Sequence, residues 1–542
     1  MKMPIGVPQS ILYNGIIATQ STTYPHSQAV AVGNGKILAL GQDKDVLNLA
    51  GPGTERVNLD GRLVAPGFID THIHFYEWAL NRQGIKLDDL TSLEELLNRV
   101  GKAADSRPPG QWVIGQGWNE TDWTEQRIPT RETLDRVAPE HPVLLWRCDL
   151  HLAVANSVAL GLAGIHADTP DPPEGRIEHN HTGEPNGIIR ELAINLVRQA
   201  IAPPRTDQIM QAFEDATKAL HRWGVTGIQD VRLMEDKDGA GSFQTFQRLD
   251  HEGRLDLRCW VSLPGHELDH IIGLGLQTGF GNEKLRVGHV KFFSDGGMGA
   301  RTAWLIEPYL DADRGMPLID MEVLSRDINR ADKAGLSVMV HAVGDRANRE
   351  LINIFEALEL RRISSGLPSP AIAHRIEHVQ MLQPEDADRL SKLNMALCVN
   401  PANMLLDINL IDMALGEKGK WTYPLRQLFD TGAPVMFSSD CPVCTPDPLL
   451  GIHAAVTRQR TDGTPKGGWY PDSRVTVAEA LRAYTYTPAT VHNAHDIGRI
   501  EPGKRADMVV LNRNILEILP SLMPEVQVDM TLFDGRIVHR QF

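Results

Sequence analysis

Short hydrophobic runs interrupted by turn residues occupy both ends of the chain. Each of these runs contains an Asn-Gly or Asp-Gly pair, which is a strong signal for a β-hairpin. The runs are ILYNGIIAT, AVAVGNGKILALG and ERVNLDGRLVAPG near the start and VDMTLFDGRIVHR near the end. Chain termini often lie close together in folded domains. We therefore expect residues 1–65 and 497–542 to form one small β-sandwich, with two unrelated hairpins on a larger domain as the alternative.

Between these ends, strand-like hydrophobic runs alternate with helix-like stretches. The runs that begin at residues 225, 256 and 285 recur roughly every 31 residues, the length of one strand-helix unit in a (β/α)8 barrel. Further runs bring the total to eight, at residues 67–75, 225–231, 256–264, 285–293, 336–343, 373–380, 394–400 and 432–440. The pattern predicts an α/β fold, a (β/α)8 TIM barrel with a parallel sheet.

One interval is too long for a single barrel unit. TDQIMQAFEDATKALHRWG, at residues 206–224, predicts the helix that leads into the strand at 225. The preceding residues, 80–204, are rich in Trp, Pro and Gly and carry their own hydrophobic run, PVLLWRC. We expect residues 80–204 to form an insertion over the barrel mouth after the first strand, and residues 66–79 plus 205–496 to form the barrel.

Composition narrows the class of protein. Hydrophobic residues make up 42% and charged residues 23% of the chain, as in ordinary globular proteins, which excludes a disordered or fibrous chain. The net charge of −15 argues against a non-specific nucleic-acid binder. The sequence shows neither an apolar run of membrane-spanning length nor a secretory signal. The five cysteines favour reduced thiols in a cytoplasmic protein, and a homodimer remains compatible with the sequence.

The strongest local chemical signal is Asp70-Thr71-His72-Ile73-His74. Side chains two residues apart on a strand point to the same face, so His72 and His74 can ligate one metal ion. In a barrel they would do so at the carboxyl end of the strand, where active sites lie. A His-x-His pair alone is weak, because such pairs are more often structural or exposed.

Other potential ligands end other predicted strands. His341 closes LSVMVHAV, His378 closes HRIEH and Asp440 closes VMFSSD, while Lys291 lies within the apolar run VGHVKFF. A buried charge is costly unless it is paired, modified or bound to metal, and an ion pair with Asp295 is the simpler explanation of Lys291. Four imidazoles and a carboxylate at one barrel mouth nevertheless suit Zn²⁺ or a similar divalent ion.

The order His-x-His, Lys, His, His, Asp on strands one, four, five, six and eight resembles the amidohydrolase superfamily in its binuclear form. GVTGIQD and GKRADMVVLN are also similar to that family. Four further segments resemble its YtcJ-like branch, which includes N-substituted formamide deformylase. They are VKFFSDGGMGARTAWL, VHAVGDRAN, HRIEHVQ and SSDCPV. The insertion resembles the same branch through GWNETDW, PVLLWRCDLHLAVANS and GEPNGIIRE.

This resemblance implies a pair of divalent metal ions, with Zn²⁺ the favoured identity. It implies that His72 and His74 hold the first ion together with Asp440, and that His341 and His378 hold the second. Lys291, carboxylated by CO₂ on its ε-amine, would bridge the two ions as a carbamate. A site with one ion and an unmodified Lys291 remains an alternative.

The implied reaction is hydrolysis of a C–N bond in a small-molecule amide, N-substituted formamides included, by metal-activated hydroxide. Asp440 would accept the proton of the water and deliver it to the leaving nitrogen. An esterase, lactonase or deaminase could use the same ligands, and a non-catalytic regulatory relative is a third possibility.

Three features near the expected site have two interpretations each. His151 in the insertion either reaches the substrate or is a structural histidine. Trp118, with the nearby Trp112 and Trp123, either forms an apolar wall that contacts the substrate or packs the core of the insertion. The Gly296–Gly299 segment is expected to let the backbone pass close to the metals, because no P-loop Lys-Ser/Thr pair follows it.

Overall fold

The computed structural model describes most of the chain and organises it into four β-sheets flanked by helices. The described residues are 6–82, 84–173, 175–232, 239–366 and 368–542. Residues 1–5, which the sequence assigned to the terminal β-domain, lie outside this part of the chain. Within it, no helix combines the length and hydrophobicity needed to span a bilayer.

The amino-terminal region is built mainly of short strands. They are β1 (Ser10–Tyr13), β2 (Ile16–Ile17), β3 (Ala29–Gly33), β4 (Lys36–Gly41), β5 (Glu55–Asn58) and β6 (Leu63–Pro66), with helix α1 (Asp43–Leu47) between β4 and β5. Asn34 and Gly35 connect β3 to β4 with φ values of 51° and 75°. A tight hairpin turn of this hand needs positive φ at both positions, which is why the Asn-Gly signal identified it.

The barrel begins with β7 (Phe68–Ile73) and α2 (Phe75–Asn81), and the chain then enters the insertion. The insertion has a sheet of its own in the order β12-β13-β11-β10-β9-β8. Its strands are β8 (Ile85–Lys86), β9 (Val113–Trp118), β10 (Val143–Arg147), β11 (Leu152–Ala155), β12 (Gly175–His179) and β13 (Pro185–Glu191). Its helices are α3 (Leu93–Asp105), α4 (Arg131–Asp135), α5 (Ser157–Leu162) and α6 (Ile194–Arg198).

The remaining barrel strands follow in chain order. They are β14 (Val225–Asp230), β15 (Arg258–Pro264), β16 (Leu285–Phe293), β17 (Val338–Ala342), β18 (His374–His378), β19 (Met395–Val399) and β20 (Val435–Phe437). The helices are α7 (Thr206–Arg222), α8 (Gly239–His251), α9 (Leu268–Gly273), α10 (Met321–Lys333), α11 (Asp345–Ser365), α12 (Pro384–Leu390), α13 (Asn403–Leu415), α14 (Leu425–Asp430), α15 (Pro448–Thr457), α16 (Val477–Tyr484) and α17 (Tyr486–Val491).

Each predicted barrel strand is present, and neighbours pair in parallel in the order β7-β14-β15-β16-β17-β18-β19-β20. The two edges of this sheet meet, because the N–H of Asp440 donates to the carbonyl of His72 over 2.9 Å. The carboxylate of Asp70 also accepts the N–H of Ser439 at 3.1 Å. The predicted α/β TIM barrel is thereby confirmed as a nearly closed barrel of eight described strands.

The carboxyl-terminal strands join strands from the other end of the chain. They are β21 (Met508–Leu511), β22 (Val528–Phe533) and β23 (Arg536–Arg540), and they form a sheet in the order β2-β6-β21-β22-β23. A second sheet has the order β4-β3-β1-β5. Leu12 and Val32 of this sheet share one buried cluster with Val64 and Val510 of the other. The exact division of the chain into domains stays a prediction.

Candidate metal centre

The side chains predicted to bind metal lie at the carboxyl ends of barrel strands, on one rim of the barrel. His72 is on β7 and His74 directly follows it, while Lys291, His341 and His378 lie near the ends of β16, β17 and β18. Asp440 follows β20. All of them are less than 9% exposed and line one cavity. The parallel strand order therefore brings together residues that are far apart in the sequence.

Asp440 lies at the centre of one half of this cluster. Its Oδ1 atom is 3.3 Å from Nε2 of His74 and 3.5 Å from Nε2 of His72. Nζ of Lys291 is 3.4 Å from the same Nε2 atom of His72. The potential ligand atoms of His72, His378 and Asp440 all lie within 4.8 Å of one another, which is a spacing that one bound cation could bridge.

The other half of the cluster contains His341 and His378, whose rings are 4.5 Å apart. Nδ1 of His378 donates to the side-chain oxygen of Asn400 at 2.7 Å, which leaves Nε2 of His378 as the acceptor nitrogen. Nε2 of His341 donates to the carbonyl of Gly296 at 3.2 Å, which leaves its Nδ1 atom. Each histidine is thus fixed in one tautomer with one nitrogen available as a ligand.

Burial determines the protonation of the cluster. It lowers the pKa of His72, His341 and His378, so these rings are neutral, the form that binds metal. Burial would raise the pKa of Asp440, but the imidazoles around it outweigh this effect and hold that pKa well below its usual range. Burial also lowers the pKa of Lys291 to about 8. Neutral imidazoles beside an ionised carboxylate fit the donor set of zinc and related ions.

A buried ion pair holds His72 at its Nδ1 atom, the ring nitrogen that does not face Asp440. Nδ1 of His72 donates to Oε2 of Glu377 over 2.5 Å, and the guanidinium of Arg375 donates to both oxygens of that carboxylate at 2.8 Å. A carboxylate in this position orients a metal-binding histidine and raises its basicity. The sequence analysis missed this pair, although Arg375 and Glu377 stand two residues apart within HRIEH and therefore face the same side of β18.

The backbone is strained where two strands reach the cluster. His378 and Asp440 have φ values of 71° and 57°, in a region that costs a non-glycine residue roughly 1–3 kcal/mol. Such conformations persist where the surrounding structure enforces them, and they concentrate at functional sites.

Asp295 does not pair with Lys291, contrary to the simpler explanation considered for that lysine. Its carboxylate accepts the backbone N–H groups of Val343, Gly344 and Trp304 at 2.8–3.0 Å. Asp295 therefore organises the loops after β16 and β17. The part of the chain that the structure describes shows no ion pair between Asp295 and Lys291.

The insertion places His151 at the edge of the candidate metal centre. Nδ1 of His151 donates to Oε2 of Glu191 at 2.8 Å, and the ring of His151 is 5.4 Å from that of His341. Burial lowers the pKa of His151, but the charge and the hydrogen bond of Glu191 have the larger opposite effect. Together they raise the pKa of His151 to about 9. The structure thus brings a positively charged imidazole to the cavity, supported by a residue, Glu191, that the sequence analysis did not identify.

Trp118 lies away from the cavity, which corrects its assignment as a substrate contact. Its side chain is fully buried in the core of the insertion, and its indole N–H donates to the carbonyl of Leu145 at 3.3 Å. The alternative, packing within the insertion, describes its position. The apolar side of the cavity is formed instead by Trp146, Leu150, Leu192, Ile194 and Phe293.

The Gly296–Gly299 segment receives side chains of the insertion. A Cβ atom on Gly296 would lie 2.5 Å from Oε1 of Glu191, and one on Gly297 would lie 2.7 Å from the ring of His151. A Cβ atom on Gly299 would overlap with the carboxylate of Asp149. The expected approach of the backbone to the cluster holds for Gly296, whose carbonyl contacts His341. The main reason for the glycines is the docking of the insertion.

Comparisons with known proteins find relatives over nearly the whole chain. The chain matches the model of the amidohydrolase family (Amidohydro_3) over residues 55–539. It is 32% identical to Protein LONG AFTER FAR-RED 3 of Arabidopsis thaliana over 94% of this chain and 88% of that protein. It is 30% identical to N-substituted formamide deformylase of Arthrobacter pascens over 97% of each chain.

A solved structure extends the likeness to three dimensions. It is that of an uncharacterized metal-dependent hydrolase from Pyrococcus furiosus, with 30% identity and a TM-score of 0.71. The match covers 94% of this chain and all of the other. The resemblance drawn from the sequence motifs is confirmed.

Proposed function

The chain belongs to the amidohydrolase family of metal-dependent hydrolases, and from this we propose that it hydrolyses the C–N bond of a small-molecule amide. N-substituted formamides are included, because the chain is similar to a deformylase of that class over nearly its whole length. The observation that carries the proposal is the convergence of His72, His74, Lys291, His378 and Asp440 with His341 in one cavity.

Two divalent ions, with Zn²⁺ as the proposed identity, fit this donor set. His72 and His74 would hold the first together with Asp440, and His341 and His378 would hold the second. When bound, such ions lower the pKa of water and polarise a carbonyl group.

Lys291 is proposed to carry a carbamate derived from CO₂. Its amine is buried next to Nε2 of His72, where an ammonium group would repel a cation. With a pKa of about 8, roughly a tenth of the amine is neutral near pH 7, and a neutral amine is the form that adds to CO₂. The resulting anion would favour cation binding between the two halves of the cluster.

Asp440 is proposed to move the proton. Its carboxylate accepts a proton as water adds to the amide carbon, and it donates that proton to the leaving nitrogen as the C–N bond breaks. The electron pair of that bond stays on nitrogen, so the products are a carboxylic acid and an amine. The contacts of Asp440 with both His72 and His74 hold it in the required place.

His151 and the apolar wall are proposed to bind the substrate. With Nδ1 engaged by Glu191, the charged ring of His151 has Nε2–H left to donate to the carbonyl oxygen, where negative charge develops. Trp146, Leu192 and Phe293 would cover a hydrocarbon group of the substrate.

The predicted architecture and location complete the proposal. Residues 1–65 and 497–542 would form one composite β-sandwich beside the barrel, and residues 80–204 would cover its mouth. We propose that the protein acts in the cytoplasm, as its sparse cysteines suggest.

Metal analysis combined with a substrate panel tests the function. Purified protein should contain about two equivalents of a divalent ion, should lose activity on chelation and should regain it with Zn²⁺. In a matched panel, amides should be hydrolysed in preference to esters and aminated rings. Full activity after exhaustive chelation would contradict the proposal. Bound metal without turnover of any substrate would instead favour a regulatory protein.

A further inference from the structure

A polar chamber adjoins the metal cluster on the side of β18 and β19. It shares the polar side chains of Asp149, His151, His341, His378 and Asp440 with the main cavity, while those of Gln380, Asn403, Asp407 and Tyr423 line the chamber alone. We call the space lined by these last four residues the acceptor chamber. The apolar wall lies elsewhere in the main cavity, so the two chambers offer different chemistry to a ligand at the metal cluster.

Two hydrogen-bond donors of this chamber, Tyr423 and Gln380, are already engaged by Asp407. The hydroxyl of Tyr423 donates to Oδ2 of Asp407 at 2.6 Å, and the side-chain amide of Gln380 donates to the same oxygen at 2.8 Å. Both bonds end on one oxygen of a half-buried carboxylate. Apart from His151, which lines both cavities, a ligand in this chamber therefore meets mainly acceptors.

Asn403 adds an unsatisfied acceptor next to Asp440. It is the first residue of α13 and is only 8% exposed. Its Nδ2 atom is 3.4 Å from Oδ2 of Asp440, and its Oδ1 atom is buried without a hydrogen-bond partner among the described residues. Because an ionised carboxylate only accepts hydrogen bonds, the NH₂ end of Asn403 must face Asp440. The unpaired end is therefore an oxygen.

A buried acceptor without a partner is unfavourable and calls for a donor. A leaving group that takes a proton from Asp440 must pass next to this amide, since Asn403 contacts that carboxylate directly. The nitrogen of a primary or secondary amide, or of the product amine, carries an N–H group that could donate to this oxygen. The alkoxy oxygen of an ester carries no such donor.

We propose that the acceptor chamber binds the nitrogen side of the substrate, with Oδ1 of Asn403 accepting the N–H of the scissile amide. This inference rests on the proposed amide hydrolysis and narrows the substrate class to amides whose nitrogen carries an N–H, secondary amides among them. When the C–N bond breaks, Asp440 supplies the new proton of the amine. The nitrogen keeps its original N–H, which continues to donate to Oδ1 of Asn403. Tertiary amides lack that N–H and are poorer substrates.

The test compares a secondary amide with its N-methyl tertiary counterpart in the metal-loaded enzyme. Asn403→Leu keeps the size of the side chain and removes both polar ends. We expect it to lower kcat/KM for the secondary amide about tenfold, the effect of one hydrogen bond, and to change the tertiary amide less than about threefold. Asn409→Leu is the matched control, because Asn409 lies on the same helix and bonds to Asp122 instead.

A binding measurement gives a second readout. Calorimetry with the product amine should show about tenfold weaker binding to the Asn403→Leu variant, while the carboxylic acid product should bind equally to both proteins. Equal losses on both amides, or unchanged amine binding, would overturn the inference. If the wild-type protein hydrolyses neither amide, the proposed function fails, and amine binding alone then decides the role of Asn403.

Discussion

At the scale of single residues, the position of each imidazole in the candidate metal centre depends on a partner that is itself buried. Glu377 holds His72 by its Nδ1 atom, and the fully buried Arg375 compensates the charge of Glu377. Neither residue is among the proposed metal ligands. Their effect is to present Nε2 of His72 in a fixed direction.

Glu377→Gln should weaken metal binding about 10–100-fold, because a neutral amide holds and polarises the histidine less well. Competition between the protein and a chelator of known affinity measures this. Glu479→Gln is a suitable control, since Glu479 pairs with Arg426 on the outside of the barrel. An affinity within twofold of wild type would show that Glu377 does not position His72.

His151→Asn should lower kcat about 10²–10³-fold, the usual loss when one donor to a developing oxyanion is removed. Metal content should stay at the wild-type level, because His151 is not among the proposed ligands. His179→Asn controls for the loss of a histidine from the insertion, since His179 is exposed at the end of β12. Loss of metal together with activity would instead make His151 part of the metal centre.

Whether a site residue could be predicted from the sequence depended on what places it in the site. His72, His341 and Asp440 were found because each ends a strand, and parallel strands of a barrel share one rim. Glu191 and Asn403 were missed because their roles come from contacts between segments far apart in the chain. Trp118 was misplaced because a composition rich in tryptophan does not tell which face of β9 a side chain occupies.

At the scale of elements, an ion cluster ties the outer helices to the barrel. Asp332 on α10 accepts hydrogen bonds from Arg362 on α11 at 3.2 Å and contacts Nε2 of His374 on β18 at 3.3 Å. Burial opposes ionisation of Asp332, but His374 and Arg362 outweigh it and lower the pKa to about 2. The charged form of Asp332 therefore stabilises the contact of these elements.

Because this pKa is lower in the folded chain than the ordinary value of 3.8, the stabilisation is complete above pH 4 and declines as the pH falls toward 2. Asp332→Asn should lower the urea midpoint at pH 6, and the gap to wild type should narrow toward pH 3. Urea unfolding at both pH values measures it. A gap of constant size would show that the charge of Asp332 is not the cause.

The elements themselves were largely predictable. The predicted helix at 206–224 is α7 (Thr206–Arg222), whose buried Ile209, Phe213 and Leu220 follow the helical period. The barrel strands were found because runs such as β16 are buried along nearly their whole length. The sheet of the insertion was not predicted, because its short strands pair only through contacts within that segment.

At the scale of the whole molecule, Arg258 links the barrel to the carboxyl-terminal sheet. It lies on β15, is only 3% exposed, and donates to both oxygens of Asp507 at 2.5 and 3.0 Å. A further bond of 2.6 Å reaches Asp534, beside the turn between β22 and β23. The barrel and the terminal strands therefore share a buried ion pair.

Arg258→Met should lower the free energy of unfolding by about 3–5 kcal/mol, because it leaves Asp507 buried without its cation. Chemical denaturation followed by tryptophan fluorescence measures the change. Arg540→Met is the control, since the exposed pair of Arg540 with Glu55 should contribute at most about 1 kcal/mol. Equal effects of the two substitutions would mean that the link does not stabilise the assembly of the sheets.

The docking of the insertion on Gly296, Gly297 and Gly299 limits how the molecule can diversify. His151 and Glu191 reach the cluster only because those positions have no side chain. A chimaera that received residues 80–204 from a relative would have to inherit the matching glycine segment as well. A substitution on one side of this contact should therefore need a matching change on the other side.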